Sequence, residues 1–358
     1  MKRFTCLFCA LTLLLTLAAC AKTDEVEPSD EPSETVTETP SPEPTPTPIP
    51  ANVNPLTGIA AETDLAYQRP MAIMLNNLKA AMPQQGNSQA DIIYEVLAEG
   101  GITRMLGVYQ DVSELDLVGS IRSARQYYWE LSQGHDALYI HAGGSPEFYN
   151  TKSSLGLTTV DGVNGHWPGM FWRDRNRIAG KYYAVEHSLL SSGEAITAML
   201  AEHEDLLPHT EGYVYEMAFT DDGTPADGQP ANTLTASFSG SKTTTFQYHE
   251  EDKLYFVEEY GGAYIDGNSN AQVAVTNVLV LQTACNMVAN DDKGRITVDL
   301  TSGEGWFACG GKMVPITWEK GKPDDQLRYF DADGQPLELG RGKSYVCIIP
   351  TSRTVTAE

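Results

Sequence analysis

Two arginines three residues apart carry the clearest chemical signal in this chain: Arg122 and Arg125, in VGSIRSARQYYWEL (118–131). They stand where an extended stretch runs into a helical pattern. A guanidinium stays charged and offers a planar fork of N–H donors, so a pair of them suits a phosphate, a pyrophosphate or a carboxylate. HAGGSPE (141–147) adds a second element of the same chemistry. Its Gly143 and Gly144 precede Ser145-Pro146, an N-cap followed by proline at the first helical position, and exposed N–H groups at a helix start attract anions. His141 is of the residue type that titrates near neutral pH. Ligands of open α/β sheets gather beyond the carboxyl ends of strands, where Asn77 also falls. Arg122, Arg125, His141, Gly143, Gly144, Ser145 and Asn77 are therefore the candidate anion or ligand site.

The same arginines have a competing use. Asp91, Glu95 and Glu99 recur at every fourth position, which on a helix forms one carboxylate stripe. Arg104, Arg122 and Arg125 would be its partners, so Asp91, Glu95, Glu99 and Arg104 are read as a supporting charge network. A secondary candidate is FWRDRNR (171–177). In an extended segment Arg173, Arg175 and Arg177 share one side, with Trp167, Phe171 and Trp172 near enough to stack on a sugar, and His187 follows close behind. A serine nucleophile is disfavoured, because GGSPE lacks the final glycine of a nucleophile elbow and Pro146 marks Ser145 as a cap. Beyond residue 20 there is no Walker loop, dinucleotide fingerprint, HExxH or paired CxxC, so no cofactor and no metal are expected. DADGQPLELG (331–340) lacks the glycine and closing glutamate of a calcium loop and reads as a hairpin turn.

The elements that must position these residues alternate in the first half. PMAIML (70–75), RMLGVYQD (104–111), DLVGSI (116–121) and ALYIHAGG (137–144) read as extended segments. Helices are expected over SQADIIYEVLAEGG from Ser88, where Ser-x-x-Asp resembles a capping box, over SARQYYWELSQG ending at Gly134, and over SGEAITAMLAEH (192–203). This predicts an α/β N-terminal domain over 54–208, a mixed sheet with flanking helices. Beyond it, short strands punctuated by Gly, Asp and Asn predict a mainly β C-terminal domain over 209–358, a sandwich or barrel.

The N-terminus addresses location. Lys2 and Arg3 precede an apolar run too short for a stable spanning helix, and Leu17-Ala18-Ala19-Cys20 closes it as a lipobox. Residues 1–20 read as a lipoprotein signal peptide, with Cys20 the lipidated residue. Residues 21–53 are acidic and rich in Pro and Thr, a disordered tether by composition. At ~3 Å per residue it would span on the order of 100 Å. The chain has 24 basic and 48 acidic side chains, a net charge of −24, which argues against nucleic acid as a partner. Cys285, Cys309 and Cys347 are expected as buried free thiols, with at most one disulfide among them.

RPMAIMLNN, QADIIYEVLAEGGITRML, VGSIRSARQYYWEL, ALYIHAGGSPE and EHSLLSS occur in that order. The series resembles the YerB-like bacterial lipoproteins, a family with N- and C-terminal domains of unknown function, over roughly 54–350. Asn76-Asn77 stands where that family usually shows Asp-Asn, and Cys309 resembles a core substitution. The resemblance implies a protein lipid-anchored to the outer face of the cell membrane. It further implies a binding or scaffold role in cell-wall (peptidoglycan) assembly with a penicillin-binding protein or other wall-synthesis enzyme, rather than catalysis. Its shared residues map to Glu95, Glu99, Arg104, Arg122, Arg125, His141, Ser145 and His187. The alternative expectation is an anion-site protein or enzyme acting on a lipid-linked phosphate or pyrophosphate, or on a glycan wall polymer, through the Arg122/Arg125 region.

Overall fold

The computed structural model describes residues 52–358. Cys20, the expected signal peptide and nearly all of the expected tether lie outside the described residues. The first half contributes β1 (Met71–Asn76), β2 (Ile92–Leu97), β3 (Thr103–Tyr109), β4 (Leu117–Gly119), α1 (Gln126–Gly134), β5 (Leu138–His141), α2 (Pro146–Leu155), β6 (Val160–Asp161), β7 (Trp172–Arg173), β8 (Leu189–Ser192) and α3 (Gly193–Glu202). The local signals explain their ends. Ser145 caps α2 by accepting from Phe148 N–H, with Pro146 at the first helical position, and Ser192 caps α3 the same way through Ala195 N–H.

One helix expected from the sequence is a strand. IIYEVL forms β2, antiparallel to β3 from Ile92↔Val108 to Leu97↔Thr103. Its aromatic and β-branched residues fit a pleated surface, and pairing on both edges outweighs the capping signal at Ser88. Asp91, Glu95 and Glu99 therefore do not form a helical stripe.

The strands assemble across the two halves of the sequence. An eleven-stranded mixed sheet runs from Gln229–Pro230 through Lys312–Glu319, Ser302–Cys309, Asn277–Thr283 and Ser344–Pro350 into β2, β3, β1, β5 and β6, with Arg328–Phe330 on Lys312–Glu319. The join is parallel, β2 against Ser344–Pro350 from Ile92↔Ser344 to Val96↔Ile348. Residues 209–358 are mainly β, as expected. Among the described residues their sheets stack and do not close into a barrel.

Period-two alternation divides the core between the faces of this sheet. Ile73, Leu75, Ile93 and Met105 pack with Leu234, Phe246 and Val257 of a second, six-stranded sheet. Ala72, Met74, Tyr94, Val96 and Leu106 pack with Tyr127, Tyr128 and Leu131 of α1 and with Phe148 of α2. Cys309 and Cys347 are buried and Cys285 is half-buried, all three as free thiols.

Candidate functional site

The parallel pairing of β1 with β5 ends at Ile73↔Ile140, and the segment Ser120–Arg125 fills the gap where the two strands part. Arg122 N–H donates to Met74 O at 2.9 Å and Ala142 N–H donates to Arg122 O at 2.9 Å. One step on, Ala124 N–H donates to Gly143 O at 2.9 Å. Backbone bonds on both sides thus fix the arginine segment at the carboxyl ends of two parallel strands, where α/β sheets place ligands.

Three guanidinium groups gather there. Arg125 pairs with Glu99 through Nε and Nη2, and Arg104 Nη2 lies 3.4 Å from Glu99 Oε2. Burial pushes the Glu99 carboxyl up, but Arg104 and Arg125 outweigh it and hold the group below its ordinary range. Arg122 is different. Its Nη1 donates to the carbonyl of Glu186 at 2.6 Å, while its Nε is buried with no hydrogen-bond partner. Among the described residues no carboxylate lies within ion-pair distance of Arg122. Burial and the neighbouring Arg104 bring its pKa down to about 10.

His187 stands beside this group. Asn76 Nδ2 donates to His187 Nδ1 at 2.9 Å, and burial with the Arg122 charge keeps the imidazole below its ordinary range. The secondary candidate therefore meets the first through Glu186-His187. Its arginines do not share one side. Arg173 is exposed and donates to Val185 O at 2.6 Å, and Arg175 donates to Tyr183 O at 2.8 Å. Arg177 is buried, bonded to Pro83 O at 2.8 Å and His187 O at 3.1 Å, and serves as internal structure.

The glycine turn is occupied by the protein itself. Asp161 Oδ1 accepts from the N–H of Gly143 and of Val163, both at 2.9 Å, and Tyr149 donates to Oδ2 at 2.7 Å. Burial pushes Asp161 up, and these donors more than reverse it, to about 2. The anion that HAGGS was expected to receive is thus this carboxylate. His141 is fully buried, with Nδ1 donating to Gly143 O and Nε2 accepting from Thr159 Oγ1, both at 2.9 Å. Burial takes its pKa to about 4, so it is neutral at physiological pH. Ser145 is committed to capping, and Gly144 is bridged to Ala124. A cavity of about 270 Å³ does open beside Arg125 and Ser145, lined further by Tyr127, Glu147 and Arg295. A larger groove of about 520 Å³, lined by Tyr67, His135 and Tyr213, lies away from the arginines.

The expected charge network divides. Asp91 accepts from Gln110 N–H at 2.7 Å and Asn54 Nδ2 at 3.0 Å. Glu95 meets no arginine. It is buried with Lys242 Nζ at 2.7 Å, Thr103 Oγ1 at 2.6 Å and Tyr345 Oη at 2.7 Å. Lys242 also pairs with Glu259, whose carboxyl is pushed up to about 8 by burial and by the nearby Glu95 charge. Asn77 belongs here too, donating to Glu95 Oε1 at 2.9 Å, and so lies outside the arginine site. Sequence reasoning missed Lys242, Glu259 and Tyr345, which no local pattern marks.

Residues 56–204 match the N-terminal domain model of "Protein of unknown function (DUF3048)", and residues 234–346 match its C-terminal domain model. The chain is 30% identical over 302 residues to "Putative lipoprotein YerB" of Bacillus subtilis (strain 168), spanning 83% of this chain and 86% of that one. It is also similar to the crystal structure of the YerB protein from Bacillus subtilis. That match has a TM-score of 0.71 at 25% identity, over 85% of this chain and 99% of that one.

Proposed function

The chain belongs to the DUF3048 family, and we propose that it is a membrane-anchored extracytoplasmic binding protein that receives an anionic group at Arg122. The name of the relative YerB describes a lipoprotein, and the lipobox cysteine Cys20 supports the same anchoring here. The observation that carries the site is Arg122 itself. In a chain with 48 acidic side chains against 24 basic ones, this half-buried guanidinium has no carboxylate partner among the described residues, and its buried Nε makes no hydrogen bond. Arg104 and Arg125 add positive charge behind it, since Glu99 balances only part of theirs.

Such a site suits phosphate or pyrophosphate oxygens. On a lipid-tethered protein the fitting carrier is a lipid-linked wall precursor, so the role falls in cell-wall assembly beside a penicillin-binding protein or other wall-synthesis enzyme. Binding is favoured over turnover, because the hydroxyl of Ser145 and both nitrogens of His141 are engaged within the protein.

The test is a thermal melt of the full lipoprotein in detergent, titrated with inorganic pyrophosphate and with a polyprenyl phosphate. A ligand at 100 times its Kd adds roughly 2.7 kcal/mol, which shifts the melt visibly. The shift should vanish in Arg122→Ala. An equal shift in that variant, or none in the wild type, overturns the proposal.

A further inference from the structure

Lys242 is 2% exposed, in the turn between the strands Thr233–Ser237 and Thr243–His249. Its Nζ lies 2.7 Å from Glu95 Oε1, donates to Thr244 Oγ1 at 2.8 Å and pairs with Glu259 Oε2. Asn77 is fully buried and directs its side-chain amide at the same carboxylates, 2.9 Å from Glu95 Oε1 and 3.4 Å from Glu259 Oε1. A primary amine and a carboxamide therefore meet at one carboxylate oxygen and flank a second carboxylate. Asn77 Oδ1 is buried with no hydrogen-bond partner among the described residues. Tyr345 and Thr244 close the site, and the rings of Phe238 and Tyr260 lie 5.5 and 5.3 Å from the amine.

We propose that Lys242 and Asn77 condense into a side-chain amide, a self-made cross-link between the first and second halves of the protein. The lysine ammonium passes one proton to Glu95 Oε1, and the free amine attacks Asn77 Cγ. A C–N bond forms between Lys242 Nζ and Cγ, the bond from Cγ to Nδ2 breaks, and Nδ2 leaves as ammonia. Protons balance within the site. The ammonium and the carboxamide bring five hydrogens on nitrogen; the amide keeps one, ammonia takes three, and Glu95 retains the fifth. No oxidant or co-reactant is needed.

The surroundings supply proximity, a proton acceptor and a proton donor. Fixing the two groups against one carboxylate replaces a collision with an intramolecular encounter. Against the effect of burial, Glu95 and Glu259 hold the resting Lys242 ammonium above its ordinary pKa, so transfer of its proton to Glu95 is the uphill step that frees the nucleophile. Glu259 keeps its proton up to about 8 and lies 3.4 Å from Asn77 Nδ2 through Oε1, so it can donate to the departing nitrogen. Burial also supplies a driving force. Before reaction an ion pair is enclosed in the core, at the cost of its desolvation, and afterwards a neutral amide and neutral carboxyls remain.

The experiment is peptide mapping by mass spectrometry of the purified full chain after denaturation and trypsin digestion. A linked pair should appear, uncleaved after Lys242, with its mass lower than the sum of the two peptides by one ammonia. Glu95→Gln, which keeps the shape but removes the base, should lose the linked pair, and Asn77→Ala should lose it entirely. Recovery of Asn77 and Lys242 only in separate linear peptides overturns the proposal, as does recovery of residue 77 as aspartate. The wild-type map decides alone if a variant fails to fold.

Discussion

Tyr345 donates its hydroxyl to Glu95 Oε2 at 2.7 Å, joining residues 250 positions apart in the chain. The bond accompanies the parallel pairing of Ser344–Pro350 with β2, through which the two segments matched by separate family models share one sheet. Tyr345→Phe removes a donor from a buried carboxylate and should lower unfolding free energy by about 1.5–3 kcal/mol. Urea unfolding measures this. A change below about 0.5 kcal/mol, the range of an ordinary surface substitution, would show that Glu95 does not depend on it.

Arg122 and Arg125 should respond oppositely to removal. Arg125→Ala leaves Glu99 with the more distant Arg104 and should cost about 1–3 kcal/mol, as for other hydrogen-bonded charged partners. Arg122→Ala should stay within about 0.5 kcal/mol of wild type or gain slightly. Its folded pKa of about 10 lies below the ordinary 12.5, so the fold disfavours that charge instead of using it. Denaturation of both variants in low-salt buffer, without phosphate, gives the comparison. Equal losses would make Arg122 a structural residue.

Asp161→Asn should loosen the turn before α2. The carboxylate accepts from Gly143 and Val163 N–H and from the Tyr149 hydroxyl, and an amide cannot accept from all of them. The expected loss is about 1.5–3 kcal/mol at neutral pH. Because the folded pKa is about 2 against 3.8, this stabilisation is present above 3.8 and disappears as pH falls toward 2. Wild type and variant should therefore converge in acid, which melts recorded down to pH 2 would reveal.

Two buried groups shape stability on either side of neutrality. His141 is held at about 4 against 6.5, so the unfolded chain takes up a proton that the folded protein refuses, and stability falls as pH drops from 6.5 to 4. Glu259 is held at about 8 against 4.5, so its contribution is complete below 4.5 and is lost as pH rises through 8. Between pH 6.5 and 8 the melting temperature of the wild type should decline, and Glu259→Gln should flatten that limb. An unchanged slope in the variant would assign the decline to another group.

The N-terminal sequence alone determined the lipobox reading, because such a signal is a local string. The chain also carried the α2 cap at Ser145-Pro146, the end of α1 at Gly134 and the hairpin turn after Asp331, each decided by residues within a few positions of one another. The arginine segment was legible as a strand-to-helix junction, and Glu99 as an arginine partner. Three features were not legible. β2 resembled a helix because a capping pattern at Ser88 preceded it, and its true partners were β3 and a strand near residue 345. The glycine turn looked open because Asp161, which fills it, comes 18 positions after Gly143. Glu95 was assigned to arginines because Lys242, Glu259 and Tyr345 reach it only through neighbouring strands. Caps, turns and signals act over a few residues, so a chain displays them directly. A buried charge finds its partner only when strands distant in sequence become neighbours, and that was settled by the packing of the sheets.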